Sequence, residues 1–378
     1  MMLRGATFLA AISLLTGLGA DQSRVLWQGP TLAGNAVVWG EEAGATGSLH
    51  QWTQSRGDHV LYRSDKLAVG RPLAASRTLL AFERTYPSCE PQPNFACPQA
   101  QDALVGPPQG PFRTLVQPRT CSIATSGNTL ALDGGVAAYL EVDCAAQRMR
   151  VVVRDVGHSG RPLIVRDAAL SSGCCRDVVI AGRFVAWSDR NDIVVYDRLA
   201  RRLAYRARIG PEAGIDVDLG FDLQRDGKLA VSYRLVEVAR TGPTTIAWLS
   251  PSAPSLHKLP LRGSDTRIRL AGDRIAVERF LTPNTSVLVV ANLAGQARRV
   301  TGFAPPVRLL GRFDFDGRRI AWAADRVTST RVDCPPPGQE RPCVRRETGA
   351  TSIWVRASEG GAPRLIARLP FDDTIARS

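Results

Sequence analysis

Cysteine carries the most obvious chemistry in this chain, and there are eight: Cys89, Cys97, Cys121, Cys144, Cys174, Cys175, Cys334 and Cys343. An even set in an exported chain is expected to be oxidised. Cys89 with Cys97, and Cys334 with Cys343, each close one proline-rich loop. Cys121 and Cys144 then pair with each other or with Cys174 and Cys175. A bond between the adjacent Cys174 and Cys175 strains the backbone and is the less favoured arrangement. Zinc would want two close cysteine pairs with histidine support, and His50, His59, His158 and His257 are scattered.

Acidic residues gather in DVDLGFD (Asp216, Asp218, Asp222) and in FDFDG (Asp314, Asp316). Alternate residues of a strand share a face, so either group could offer oxygens to calcium. Neither has the spacing of a twelve-residue calcium loop, and Asp316-Gly317 and Asp226-Gly227 have the look of hairpin turns, where Asp bonds its own backbone. For catalysis there is no G-x-S-x-G; Gly157-His158-Ser159-Gly160 approaches it without a placed carboxylate. Phosphate-binding, dinucleotide and H-E-x-x-H motifs are missing, so the sequence names no catalytic, cofactor or metal residue.

Positioning these residues falls to a repeat. An apolar residue, a small residue and a larger apolar one recur at Val38-Trp39, Ala81-Phe82, Ala138-Tyr139, Ala186-Trp187, Ala230-Val231, Ala276-Val277 and Ala321-Trp322. Their spacings of 43, 57, 48, 44, 46 and 45 residues are near the ~40 to 45 of a four-stranded propeller blade. The fourth unit is the cleanest, reading RDVVIAG, GRFVAWSDR, NDIVVYDR and RRLAYRARI, with alternation in each run and a turn after it. The predicted fold is all-β: a seven-bladed propeller of four-stranded antiparallel blades, six or eight blades being the alternatives. In the second unit, residues 87–111 read as a long insertion, and residues 325–350 read as a long polar loop in the seventh. Trp39, Trp187, Trp322 and Trp354 are expected to wedge between sheets. With that strand order, all eight cysteines belong to one rim.

Residues 1–20, MMLRGATFLAAISLLTGLGA, have a basic Arg4, an apolar stretch and small residues at the end, the pattern of a secretory signal peptide. The propeller is then expected over residues 21–378. No later apolar run reaches the ~18 residues of a membrane span. Net charge is +13, and all but Lys66, Lys228 and Lys258 of the 48 basic residues are arginine. A polyanion surface is one reading of that charge; a coding preference for arginine is the other, favoured because the arginines are dispersed and no block of five like charges occurs.

The seventh unit, FDFDGRRIAWAADR followed by IWVRASEGGAPRLIAR, resembles the repeat of TolB-type propellers. There an Asp-Gly turn leads to an IAF-like strand, an I-x-V strand, a Gly-Gly turn and a last strand opening on arginine. Asp226-Gly227 with Leu229-Ala230 is a fainter match. The α/β domain of TolB has no counterpart here, nor has the hydrolase domain of peptidases with related propellers. The resemblance implies a binding or scaffolding platform outside the cytoplasm.

Together these observations predict a secreted or periplasmic monomer. Its expected role is a non-catalytic module that binds an envelope or extracellular protein through a disulfide-pinned loop face, with no nucleic acid partner. The competing expectations are a binder of anionic wall polymer and a lyase or hydrolase of acidic polysaccharide.

Overall fold

Each run of alternating apolar and polar residues becomes a strand, and each short Gly or Asp turn becomes an antiparallel hairpin. The computed structural model describes residues 24–376 except 44–45, 65–67, 88–98, 120–128, 144, 173, 210–215, 238–239, 242–243, 264–266, 283 and 335–342. Seven antiparallel sheets follow one another along the chain. Their innermost strands are Arg24–Ala33, Ala68–Ala75, Leu130–Asp133, Cys174–Ala181, Asp216–Leu223, Ile268–Ala271 and Val307–Phe315. Each innermost strand packs beside that of the next sheet, and the first lies beside the last, so the sheets are the blades of a closed ring. Blade 5 alone carries an extra two-residue strand, Arg240–Thr241, on its second strand.

Apolar faces of neighbouring blades meet in seven clusters, one per interface. The recurrent small residue marks one level of these interfaces. Ala81, Ala138, Ala186, Ala230, Ala276 and Ala321 are all fully buried. Sheets converge on the axis there, and a larger side chain would hold them apart. Trp39, Trp187 and Trp322 are buried, and the half-buried Trp354 packs against the cluster of blades 6 and 7.

The ring closes without strand exchange. Arg24–Ala33 pairs with Ala36–Ala43 of its own blade, and Gly360–Ala376 completes blade 7. Closure rests on the apolar cluster of blades 1 and 7 and on side chains that latch one blade to the next. Ser76 Oγ donates to the Gly134 carbonyl at 3.0 Å, Tyr205 Oη to Gly227 at 2.7 Å and Gln224 Nε2 to Gly272 at 3.0 Å. Arg274 donates likewise to Gly317, and Arg319 to Gly34 across the closure. All five glycines have positive φ in the turn between first and second strands, which leaves the carbonyl free for the neighbouring blade.

Three expectations need correction. Blade 2 has no insertion across residues 87–111, because Gln99–Gly106 is its third strand, paired residue for residue with Leu80–Pro87. Its polar residues conceal it: buried Asp102 is held by Arg84 Nε at 2.7 Å. Most of residues 325–350 are strand as well, since Arg319–Asp333 and Val344–Ala357 pair along their whole length. Finally, Cys174 and Cys175 are bonded to each other. Cys175 takes a left-handed φ of 68°, and the ladder bulges from Cys174 to Val178. Ser188 Oγ accepts the N–H groups of Arg176 and Asp177 that the bulge releases, at 3.0 and 3.2 Å, which offsets the strain. The expected Cys334–Cys343 bond is present, with Cα atoms 4.1 Å apart.

Candidate functional site

The two faces of the ring are unlike. Turns from first to second and from third to fourth strands share the latched face and are short. Connections from second to third strands and between blades share the other. Cys174, Cys175, Cys334 and Cys343 all fall on that second face, as the strand order requires. Cys89, Cys97, Cys121 and Cys144 lie outside the described residues.

Blade 7 dominates this face. Its second, third and fourth strands run 15, 14 and 17 residues, whereas its innermost strand starts only at Val307, opposite Arg326. Beyond that point three strands continue as a flap pinned by Cys334–Cys343. Pro305 and Pro306 precede Val307, and the Pro306 carbonyl accepts the Val327 N–H at 3.0 Å. Between the flap and the Arg274–Thr282/Thr285–Asn292 hairpin of blade 6 lies a cleft of about 530 Å³. Its walls combine Phe280, Phe303 and Leu309 with Arg308, Arg345 and Glu347. Glu347 is only 1% exposed and pairs with Arg308 at 2.9 Å and with Arg345. Arg308 also meets the buried Asp325 at 3.2 Å, whose other oxygen accepts the Thr351 hydroxyl at 2.6 Å.

At the innermost strands of blades 5, 6 and 7, three charged residues occupy one register level: Asp222, Arg269 and Asp314 stand opposite Ala230, Ala276 and Ala321. Asp222 Oδ2 accepts the Leu270 N–H of blade 6 at 2.8 Å. Arg269 Nε donates to Asp314 Oδ1 at 2.8 Å, and Asp314 Oδ2 accepts the Leu32 N–H of blade 1 at 2.7 Å. Burial, with Asp314 nearby, pushes the Asp222 carboxyl up to about 6 against the opposing pull of Arg269. The arginine is held charged by the two aspartates despite its own burial.

Blade 1 holds a constellation that the sequence did not reveal. Ser48 Oγ lies 3.1 Å from His50 Nε2, and His50 Nδ1 lies 2.9 Å from Asp58 Oδ1. That is the connectivity of an acyl-transfer relay. Glu41 Oε1 lies 3.1 Å from the same Nε2, however, and Arg24 bonds Glu41 in turn. Burial alone would lower the imidazole pKa, but Asp58 and Glu41 outweigh it and raise it to about 9. An imidazolium has no lone pair with which to take the Ser48 proton at neutral pH, so the group braces the four strands of blade 1. His158, flagged beside Ser159, is exposed and pairs with Asp155 at 3.0 Å.

The acidic runs separate in the same way. Asp316 Oδ1 accepts the N–H groups of Arg318 and Arg319 at 2.8 and 2.6 Å, the turn role expected of it, as Asp226 does for Lys228 at 2.9 Å. Asp222 and Asp314 bridge blades instead. The side chains of Asp216 and Asp218 lie outside the described set. Among the described residues no group of three or more His, Cys, Asp or Glu could hold a metal ion. On the outer strands arginines alternate with acids, as in Arg148–Asp167 at 2.7 Å and Arg206–Asp189 at 3.0 Å. Among the described residues no helix is long and apolar enough to cross a membrane.

Seven blades, four strands each and two disulfides on the open face define a β-propeller of an oxidising compartment. No family model matches the chain, and no curated protein matches it in sequence. Solved structures do. The propeller domain of the Trilobed protease from Pyrococcus furiosus, described as having an open velcro topology, aligns with TM-score 0.50 and 8% identity, over 80% of this chain and 96% of that one. One of two prolyl endopeptidases analysed for inter-domain dynamics in catalysis and specificity aligns with TM-score 0.52 and 14% identity, over 90% and 54%. Prolyl oligopeptidase B from Galerina marginata aligns with TM-score 0.53 and 10% identity, over 93% and 51%. The chain thus spans about half the length of these last two peptidases. At such identities the likeness is one of fold. These three are nevertheless peptidases, none of them a TolB-type protein, and this overturns the expectation of a non-catalytic scaffolding module.

Proposed function

We propose that this chain is a peptidase-associated propeller, a ring that works with a peptidase catalytic unit and controls which peptides reach it. The observation that carries the reading is the alignment of 80 to 93% of the chain with propellers of three peptidases at TM-scores of 0.50 to 0.53. Two features of the ring support it. Side chains and apolar packing close it without strand exchange, so blades 1 and 7 can separate without a strand being pulled from a sheet. The open face carries the flap and its cleft, while short turns and latches occupy the other. The signal-peptide pattern of residues 1–20 and the two disulfides support work outside the cytoplasm.

The test is a capture. Tagged, oxidised chain is incubated with the exported proteins of its source organism, and the eluate is assayed on a quenched fluorescent peptide. Hydrolysis well above that of an eluate from heat-unfolded bait is the expected result. Equal rates from the two eluates would overturn the reading.

A further inference from the structure

The flap of blade 7 ends on the axial side in an unpaired strand. Its residues 328–332 are exposed, and among the described residues no strand pairs with their outer edge. The preceding Pro305 and Pro306 cannot serve, because proline has no N–H to donate. Sheet edges are ordinarily guarded by unpaired charge, proline or a covering element. Residues 328–333 contain no proline, and their one cation, Arg331, is neutralised by Asp333 at 2.7 Å.

Beside this edge runs the cleft, and its chemistry restricts what could lie there. Its charges are already matched within the wall, Arg308 with Asp325 and Glu347. Apolar surface stands on its blade 6 wall, where Phe280 is 57% exposed; Val332, farther along the flap, is exposed as well. Two buried polar atoms of the wall lack hydrogen-bond partners, the donor Arg345 Nε and the acceptor Glu347 Oε2; the latter is near Arg308 but out of line for a hydrogen bond.

We infer that residues 328–332 take up an extended, uncharged peptide segment as an added β-strand, with alternate apolar side chains entering the cleft between blades 6 and 7. Main-chain hydrogen bonds to the edge supply affinity, and the exposed Phe280 ring selects an apolar residue at the positions that face the cleft. The inference rests on the peptidase reading only for the source of the peptide, a substrate segment on its way to the catalytic unit.

The test uses the purified, oxidised chain and a fluorescein-labelled decapeptide of alternating leucine and serine, read by anisotropy. Two further peptides carry N-methyl groups on alternate amides, in opposite phases. An added strand uses one edge of its ligand, so one phase should weaken binding by about tenfold or more and the other should leave it near the parent value. Phe280→Ser changes an exposed side chain of the cleft wall, and with unchanged melting and near-ultraviolet circular dichroism it should weaken the parent peptide severalfold. No binding of the parent peptide, or equal binding of both methylated phases, would overturn the inference. Because no peptidase is present, failure here is separable from failure of the capture experiment.

Discussion

Asp314 Oδ2 accepts the backbone N–H of Leu32 at 2.7 Å, joining residues 282 positions apart across the closure of the ring. The same carboxylate takes Arg269 Nε at 2.8 Å, so one side chain ties blades 6, 7 and 1 together. Asp222 makes the equivalent bond to Leu270 two interfaces earlier, between blades 5 and 6. An innermost strand has no partner on its axial side, and these aspartates satisfy N–H groups that would otherwise be left unpaired.

Asp314→Ala is therefore expected to destabilise the protein by about 2–4 kcal/mol, through a stranded N–H and a partly buried arginine without its partner. Asp316→Ala, two residues on, removes turn hydrogen bonds and the ion pair to Arg319 but strands no buried group, and should cost only about 1 kcal/mol. Urea unfolding of both variants makes the comparison. Equal losses would mean that Asp314 is merely another turn residue.

Asp222 should behave in the opposite sense to an ordinary salt-bridged acid. Its folded pKa is raised from 3.8 to about 6, so the folded state binds the proton more tightly than the unfolded chain does. The resulting stabilisation is fully present below the unfolded value and lost as pH rises through about 6. Asp222→Asn, which carries no charge, is expected to exceed the wild type at pH 8 by up to about 3 kcal/mol and to lose that advantage near pH 4. Denaturant midpoints at the two pH values decide it; a variant less stable at pH 8 would show that the carboxylate is favourable where it sits.

His50 sets a second pH window. Its folded pKa of about 9 lies above the ordinary 6.5, so its contribution is fully present below 6.5 and disappears as pH rises through about 9. The imidazole carbon-bound proton should titrate near 9 by NMR, and wild-type stability should fall between pH 7 and 9.5. In His50→Gln that slope should be absent. Glu41 supplies the acid limb: burial alone would raise its pKa, but His50 and Arg24 hold it below 4.5, so its contribution is lost as pH falls through that lowered value.

The blade count could be read from sequence because crowding between blades demands a small residue at one position of the second strand in six of the seven, where Ala81, Ala138, Ala186, Ala230, Ala276 and Ala321 are all fully buried. Asp316 was legible as a turn residue from the glycine that follows it, whereas only register shows that Asp314 reaches another blade. Ser48 and His50 share one face of their strand, and Asp58, opposite Trp52, stands diagonally across from His50, a cross-strand relation that leaves no periodic signature in the sequence. Gln99–Gly106 was hidden because a buried Asp102 paired to Arg84 breaks the apolar alternation that marks a strand.

The flap offers a test of how independent it is from the ring. It projects past Val307, and its hairpin end between Asp333 and Val344 is pinned by Cys334–Cys343. Opening that bond releases a short loop, which in chain-entropy terms is worth about 2–3 kcal/mol to whatever unfolds with it. If the flap frays by itself, Cys334→Ser with Cys343→Ser should raise hydrogen exchange of residues 344–349 by tenfold or more, on the order of 1.4 kcal/mol or greater, while exchange in Phe184–Asp189 of blade 4 stays unchanged. Gly349→Ala attacks the base of the flap: an added Cβ would lie 2.2 Å from the Arg326 carbonyl oxygen and 2.9 Å from the Phe371 ring. Backbone must then move on the strand that carries the free edge, so this variant should increase exchange across residues 326–333 and weaken the decapeptide, with the disulfide intact. Faster exchange in blade 4 for either variant would show that flap and ring unfold as one unit.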